Sequence, residues 1–209
     1  MRVLKEQWSR SIARLPSNSE PRSKRMIQMN SIGLVELSSI AAGYQVADAM
    51  LKTSAVELLL SRSICSGKYM VLVGGDVAAV RASVDAGRNE ARGMVIDTFV
   101  IPNVHPDVFP AISGSASVQM LEALGIVESF SVASLIEAAD AAAKTARVKL
   151  IEIRLAMALG GKAFVTLTGD VAAVRSAVDA GASVCANRGL LVNKVVIPNP
   201  RKELLSEII

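Results

Sequence analysis

The stretch Gly75-Asp-Val-Ala-Ala-Val-Arg81 occurs a second time, unchanged, as Gly169-Asp-Val-Ala-Ala-Val-Arg175. It does not stand alone. Val84-Asp-Ala-Gly87 returns as Val178-Asp-Ala-Gly181, and Ile101-Pro-Asn103 as Ile197-Pro-Asn199. Upstream, Gly33-Leu-Val-Glu36 matches Gly125-Ile-Val-Glu128, while Asp48 and Lys52 match Asp140 and Lys144. The offset between partners grows from 92 through 94 to 96, so the copies differ by small insertions and share one topology. Self-similarity of this kind marks a duplicated unit, here 30–110 and 122–206. Residues 111–121 link the copies, and 1–29 form a basic extension.

Each copy reads as β-α-β-β-α-β. Ile32 to Leu37 is an apolar run of strand length. Ser39 is placed to cap a helix, along which Ile40, Tyr44, Ala47 and Leu51 recur at helical spacing. Val56 to Ser61 and Tyr69 to Val73 are strand-like, with Ser66-Gly67 between them. Asp76 is placed to cap a second helix with Val77, Val80, Val84 and Ala91 inward. Met94 to Ile101 is the last strand, stopped by Pro102. Two helices over one face of a four-stranded sheet make the split βαβ, ferredoxin-like arrangement. The fold class is therefore α+β, as two tandem domains.

Composition points to self-association. Hydrophobic residues make up 51% of the chain and aromatics only 3%, and the mean hydropathy is +0.41. That is more apolar surface than one fold of this size hides. A membrane span needs ~20 consecutive apolar residues, and the candidate runs are cut by Asp48, Lys52, Asp76, Arg81, Asp140, Lys144 or Arg175. The N-terminus shows charges with no apolar core after them, unlike a secretory signal. Two cysteines, Cys65 and Cys185, suit a reducing cytosol. The net charge of +4 is local: residues 1–29 carry seven basic against two acidic residues, which leaves −1 for the rest. Nucleic acid is not the expected partner.

The extension has a pattern of its own. Leu4, Trp8, Ile12 and Leu15 share one face of a possible helix, followed by a Pro/Ser/Asn/Arg-rich linker at 16–25. Two readings stand: a segment that docks on a partner or on the protein itself, and an unstructured leader, or upstream sequence if the start lies at Met26 or Met29.

Taken together, Gly-x-Val-Glu, Ala-Asp-Ala-x-x-Lys, Gly-Asp-Val-Ala-Ala-Val-Arg-x-x-Val-Asp-Ala-Gly and Val-Ile-Pro resemble the shell domain of bacterial microcompartments, in unpermuted order and in both copies. The resemblance implies a non-enzymatic shell tile in the bacterial cytoplasm. Two fused domains look like the trimeric class, in which a homotrimer forms a pseudohexamer. Its partners would be itself, other shell proteins and a redox enzyme inside or outside the shell. Ser63-Ile-Cys-Ser-Gly-Lys68 and Asn103-Val-His-Pro-Asp-Val-Phe-Pro-Ala-Ile-Ser-Gly114 resemble the cysteine-bearing subfamily of propanediol-utilisation compartments, which is associated with a 4Fe-4S iron–sulfur cluster at the central pore. By the same resemblance Lys52 and Lys144 stand at tile edges, where each alternatively reads as a solvated helix end. Asn103 and Asn199 take the edge position that often carries Arg.

The resemblance also makes the loop after the second strand of each copy pore-lining. That is Ser63, Ile64, Cys65, Ser66 and Gly67 in copy one. In copy two it is Leu155 to Gly161, including Ala158, Leu159 and Gly160, with no cysteine. A threefold axis would bring three Cys65 thiolates together, and soft thiolates suit iron–sulfur clusters, zinc or copper(I). Without the resemblance, a lone cysteine beside a strand reads as a small core residue, and Cys185 reads that way. His105 is the one histidine and reads as a surface residue. The sequence holds no phosphate-binding loop, nucleophile elbow, His-Glu-x-x-His or Cys-x-x-Cys. The readings left open are a cluster-bearing tile, the same tile with a plain metabolite pore, a soluble tandem ferredoxin-like regulatory module, and an iron–sulfur oxidoreductase, which the lack of acid/base groups beside the thiol disfavours.

Overall fold

The computed structural model describes residues 29–156 and 159–204. Leu4, Trp8, Ile12, Leu15, Met157 and Ala158 lie outside those residues. Copy one runs β1 (Ser31–Leu37), α1 (Ile40–Thr53), β2 (Glu57–Ile64), β3 (Lys68–Gly75), α2 (Val77–Glu90) and β4 (Val95–Pro102). A short helix, α3 (Val108–Ser113), follows. Copy two repeats the order with β5 (Ala123–Ser129), α4 (Val132–Thr145), β6 (Lys149–Leu155), β7 (Ala163–Gly169), α5 (Val171–Asn187) and β8 (Leu191–Pro198). The sheets are antiparallel, ordered β2-β3-β1-β4 and β6-β7-β5-β8, as the split βαβ reading requires.

Local sequence explains the elements. Ser39, Asp76, Ser131 and Asp170 each accept a hydrogen bond from the amide three residues on, at Ala42, Ala79, Ser134 and Ala173, so all four long helices start on a side-chain cap. The glycine of each Gly-x-Val-Glu motif lets a helix cross the sheet closely. A Cβ on Gly33 would stand 2.5 Å from Val84 Cγ2, and one on Gly125 would stand 2.7 Å from Val178 Cγ2. Val80 and Val84 of α2 and its C-cap Ala91 are buried as the spacing predicts, while Val77 is half-buried.

The first helix departs from expectation. The face of α1 on the sheet is Gly43, Val46, Ala47 and Met50. Of the stripe expected from sequence only Ala47 is buried; Ile40, Tyr44 and Leu51 are exposed. Helix α1 thus carries two apolar faces, and one of them is exposed among the described residues. In α4 the matching residues Val132, Ile136 and Ala143 are buried, because α4 lies between its own sheet and copy one, touching β4. The His105 amide donates to Asp140 Oδ1 at 2.7 Å across this junction. His105 is half-buried, and its Nδ1 accepts from the Asp107 amide, so its expected place at the surface is held only in part.

Arg188 closes the same junction. Its Nη2 lies 2.7 Å from Glu137 Oε2 on α4, and its Nη1 lies 3.7 Å from Asp97 Oδ2 on β4. Burial pushes the Glu137 carboxyl above its ordinary value; Arg188 opposes the shift and Asp97 adds to it. Cys185 is fully buried beneath this group and packs in the core, with its thiol 3.7 Å from the Ser134 carbonyl oxygen.

Candidate functional site: two adjoining turns

The β2–β3 and β6–β7 turns stand side by side. The Cys65 amide donates to the Ala156 carbonyl oxygen at 2.8 Å, and Ser66 Oγ lies 3.8 Å from the place of a Cβ on Gly161. The first turn is tight: Cys65–Gly67 form one 3-10 turn in which Ser66 (φ 66°) and Gly67 (φ 71°) are left-handed. In the second, Ala156 (φ 45°), Gly160 (φ 61°) and Gly161 (φ 87°) are left-handed. Glycine adopts this region at little cost, which suits Gly67 and Gly161 to the exit of each turn.

The predicted residues divide by exposure. Ser63, Ser66 and Gly67 are exposed, Cys65 is half-buried, and Ile64 is buried in the core. Leu159 is half-buried and Gly160 exposed; Ala158 lies outside the described residues. Ile64 therefore anchors the turn within the single chain.

Sequence reading missed the ionic frame of these turns. Lys68, directly after Gly67, lies 3.0 Å from Glu36 Oε1, and Lys162, directly after Gly161, lies 2.6 Å from Glu128 Oε1. The glutamate of each Gly-x-Val-Glu motif therefore holds the lysine that leaves the turn. Arg62 and Arg154 recur at offset 92 just before each turn. Arg154 pairs with Glu152 at 2.6 Å and lies over the Phe164 ring, 5.5 Å from its centroid. Arg62 lines a cleft of about 480 Å³ with Ile112, Glu152 and Arg154. The repeat itself was the signal: each basic residue has its partner at the motif offsets.

The remaining predicted residues lie away from the turns. Lys52 pairs with Asp48 and Lys144 with Asp140, each at 2.6 Å, but Asp48 is exposed and Asp140 buried. Asn103 (φ 49°) and Asn199 (φ 51°) are left-handed, each following the proline that ends a strand. Asparagine tolerates that conformation better than most residues, which accounts for the residue type at both positions.

Two α+β units of one topology, joined corner to corner at their turns, define a tandem shell-domain protein. The BMC domain family model matches residues 31–104 and 123–200, and the chain belongs to that family of microcompartment shell proteins, which are structural and non-enzymatic. Its place is the microcompartment shell in the bacterial cytoplasm. No helix among the described residues is long and apolar enough to cross a membrane. The bacterial microcompartment shell protein PduT of Citrobacter freundii is 43% identical over 86% of this chain and 97% of its own length. The shell protein EutM of Escherichia coli (strain K12), 44% identical, matches 40% of the chain and 84% of its own length. A crystal structure of a microcompartment protein from Desulfitobacterium hafniense DCB superposes with a TM-score of 0.81 at 57% identity, covering 85% of this chain and 99% of that one.

Proposed function

We propose that three copies of this chain close into a ring of six BMC domains, a pseudohexagonal shell tile, around whose central opening the paired turns carry three Cys65 thiols. The unequal burial of matching residues carries this reading. Inside the chain, α4 of copy two covers β4 of copy one, where Phe99 is 6% exposed. The matching pair is open at the two ends of the chain: Ile40, Tyr44 and Leu51 on α1, and Val195 on β8, the counterpart of Phe99. A head-to-tail contact that repeats the internal one satisfies both, and such contacts close into a ring when the rotation permits. At the tile edges stand Lys52, Lys144, Asn103 and Asn199.

The pore lining in this reading is Ser63, Cys65, Ser66, Gly67, Leu159 and Gly160, with Ile64 behind it, and the opening holds a 4Fe-4S cluster. Among the described residues of one chain, no three His, Cys, Asp or Glu side chains group as a metal requires, and in this reading the ligands come from three chains. Cys65 fits: it is a soft donor of the kind iron–sulfur clusters take, half-buried in a turn whose Ser63, Ser66 and Gly67 are exposed, once per chain. When bound, such a cluster supplies one-electron chemistry, for passing electrons across the shell or handing clusters to an enzyme inside. The chain's own turns would hold the three sulfurs around one axis, braced by the Lys68–Glu36 and Lys162–Glu128 pairs. The resemblance of 63–68 and 103–114 to the cysteine-bearing subfamily supports this role. A second reading keeps the tile and makes Cys65 the lining of a metabolite pore; the exposed Ser63 and Ser66 beside it favour passage of small polar molecules.

Native mass and EPR of protein purified without oxygen, before and after dithionite, test the proposal. It expects a three-chain particle with about four irons and a reduced-cluster signal, and loss of iron with retention of mass in Cys65→Ala. An intact trimer without iron leaves the metabolite pore. A monomer at micromolar concentration overturns the ring and returns the soluble module.

A further inference from the structure

In copy two, the segment that enters β5 carries α3, which lies across the edge strand β6, with Lys149 Nζ 2.8 Å from Asp107 Oδ1. The segment that enters β1 is the N-terminal one. Beside its edge strand, β2, runs an apolar groove of about 380 Å³ lined by Met29, Leu59, Leu60, Phe109, Pro110 and Ile112. A β-bulge between Leu58 and Leu60 adds a residue to the strand and turns two consecutive leucines to this side. Phe109 and Ile112, three apart on α3, supply the other wall. Ile151, which matches Leu59 at the bulge of copy two, is 4% exposed, whereas Leu59 is only half-buried.

We propose that this groove is filled by the chain's own N-terminal segment, with Leu4, Trp8, Ile12 and Leu15 as the face that enters it. The chain reaches the groove directly. Met29 is one of its walls, with Sδ 3.1 Å from the place of a Cβ on Gly74, where Leu59 Cδ1 stands at 3.2 Å. The four apolar residues follow at spacings of four, four and three, a stripe ~17 Å long in a helix. Residues 16–28 reach up to ~45 Å when extended, ample to turn the stripe back onto β2. On a helix Arg10 and Arg14 fall away from that stripe, where long charged side chains keep their heads in water. The segment does for copy one what α3 does for copy two, and this inference depends on neither the ring nor the cluster.

Trp8 is the chain's one tryptophan, so its fluorescence reports the segment without a label. In the full chain its emission is expected to lie to the blue of the urea-unfolded protein, with several-fold weaker acrylamide quenching. Ile12→Glu, which alters the segment alone, should restore the unfolded-like quenching at unchanged native mass and raise amide exchange across 57–62 and 108–113. Leu59→Glu should do the same from the groove side. Quenching of Trp8 as strong as in urea, in an intact oligomer, overturns the proposal, as does shielding that survives Ile12→Glu. Shielding that fades on dilution assigns the groove to a second copy and overturns it too.

Discussion

Tyr44 and Ile136 hold the same position in the two copies, yet Tyr44 is 67% exposed and Ile136 fully buried. The two helices follow the same register on their sheets, so the difference comes from what covers them: copy one covers α4, whereas among the described residues no element of copy two covers this face of α1. Tyr44→Asp should therefore break the proposed ring into single chains of unchanged secondary structure, read by native mass and circular dichroism. Ile136→Ala should instead cost the chain itself about 2–4 kcal/mol in unfolding. A Tyr44→Asp ring of full mass would remove α1 from the interface.

A size exchange links the two cores. Gly43 faces Tyr69 in copy one, and a Cβ there would fall 2.2 Å from the Tyr69 ring. In copy two the matching residues are Leu135 and Ala163, both fully buried. Gly43→Leu alone should overpack and cost about 3 kcal/mol or more, and Tyr69→Ala alone should open a cavity at about 3–5 kcal/mol. Gly43→Leu with Tyr69→Ala recreates the copy-two pair and should recover part of the combined loss. A coupling of about 2 kcal/mol in a double-mutant cycle is the expected reading; additive losses would show that the copies pack these positions independently of size.

Glu137 gives the junction a pH dependence of definite sign. Its carboxyl is raised above the ordinary 4.5, first by burial and also by Asp97, against the pull of Arg188. The folded chain therefore holds this proton more tightly than the unfolded one. The contribution is fully present below about pH 4.5 and is lost as pH rises through the folded value. Glu137→Gln cannot titrate, so the variant should gain on the wild type as pH rises through that window, in melting temperatures measured side by side. A constant difference between the two would show that Arg188 cancels the burial.

Cys185 should be inert. Burial pushes its thiol up, while Ser129 and Arg188 oppose the shift and Glu137 adds to it. Alkylation needs the thiolate and access. Iodoacetamide at pH 8 should leave the Cys185 peptide unmodified in the folded chain and label it in urea, as mass mapping would show. Labelling under native conditions would mean that the α5 end opens locally.

The sequence made the topology legible because its signals are local. Ser39 and Asp76 cap where their positions predict, and strand order follows once the repeat and the split βαβ pattern are seen. The second face of α1 was not legible. Periodicity reports that Ile40, Tyr44 and Leu51 form an apolar stripe, and it is silent on which of two stripes meets the sheet. Helix α3 was not legible either: it straddles the expected boundary between copy one and the linker, and six residues carry too little periodicity. The Arg188 junction left a trace that went unread: the offset grows from 94 to 96 between Gly181 and Ile197, and the added residues fall where α5 runs on to Arg188, within reach of Glu137 and Asp97.

The hydrogen bond from Cys65 to Ala156 joins two turns of common ancestry and different content. In a ring of single-domain chains, any change at this corner is multiplied sixfold, so a thiol count that suits a ligand of low valence is out of reach. Fusing two domains halves that multiplicity and lets one turn diverge while its sister keeps the outline. In the proposed ring, a tandem chain would thereby set stoichiometry at the centre of the tile without redrawing its perimeter, and neighbouring tiles would meet a hexagon whatever the middle has become.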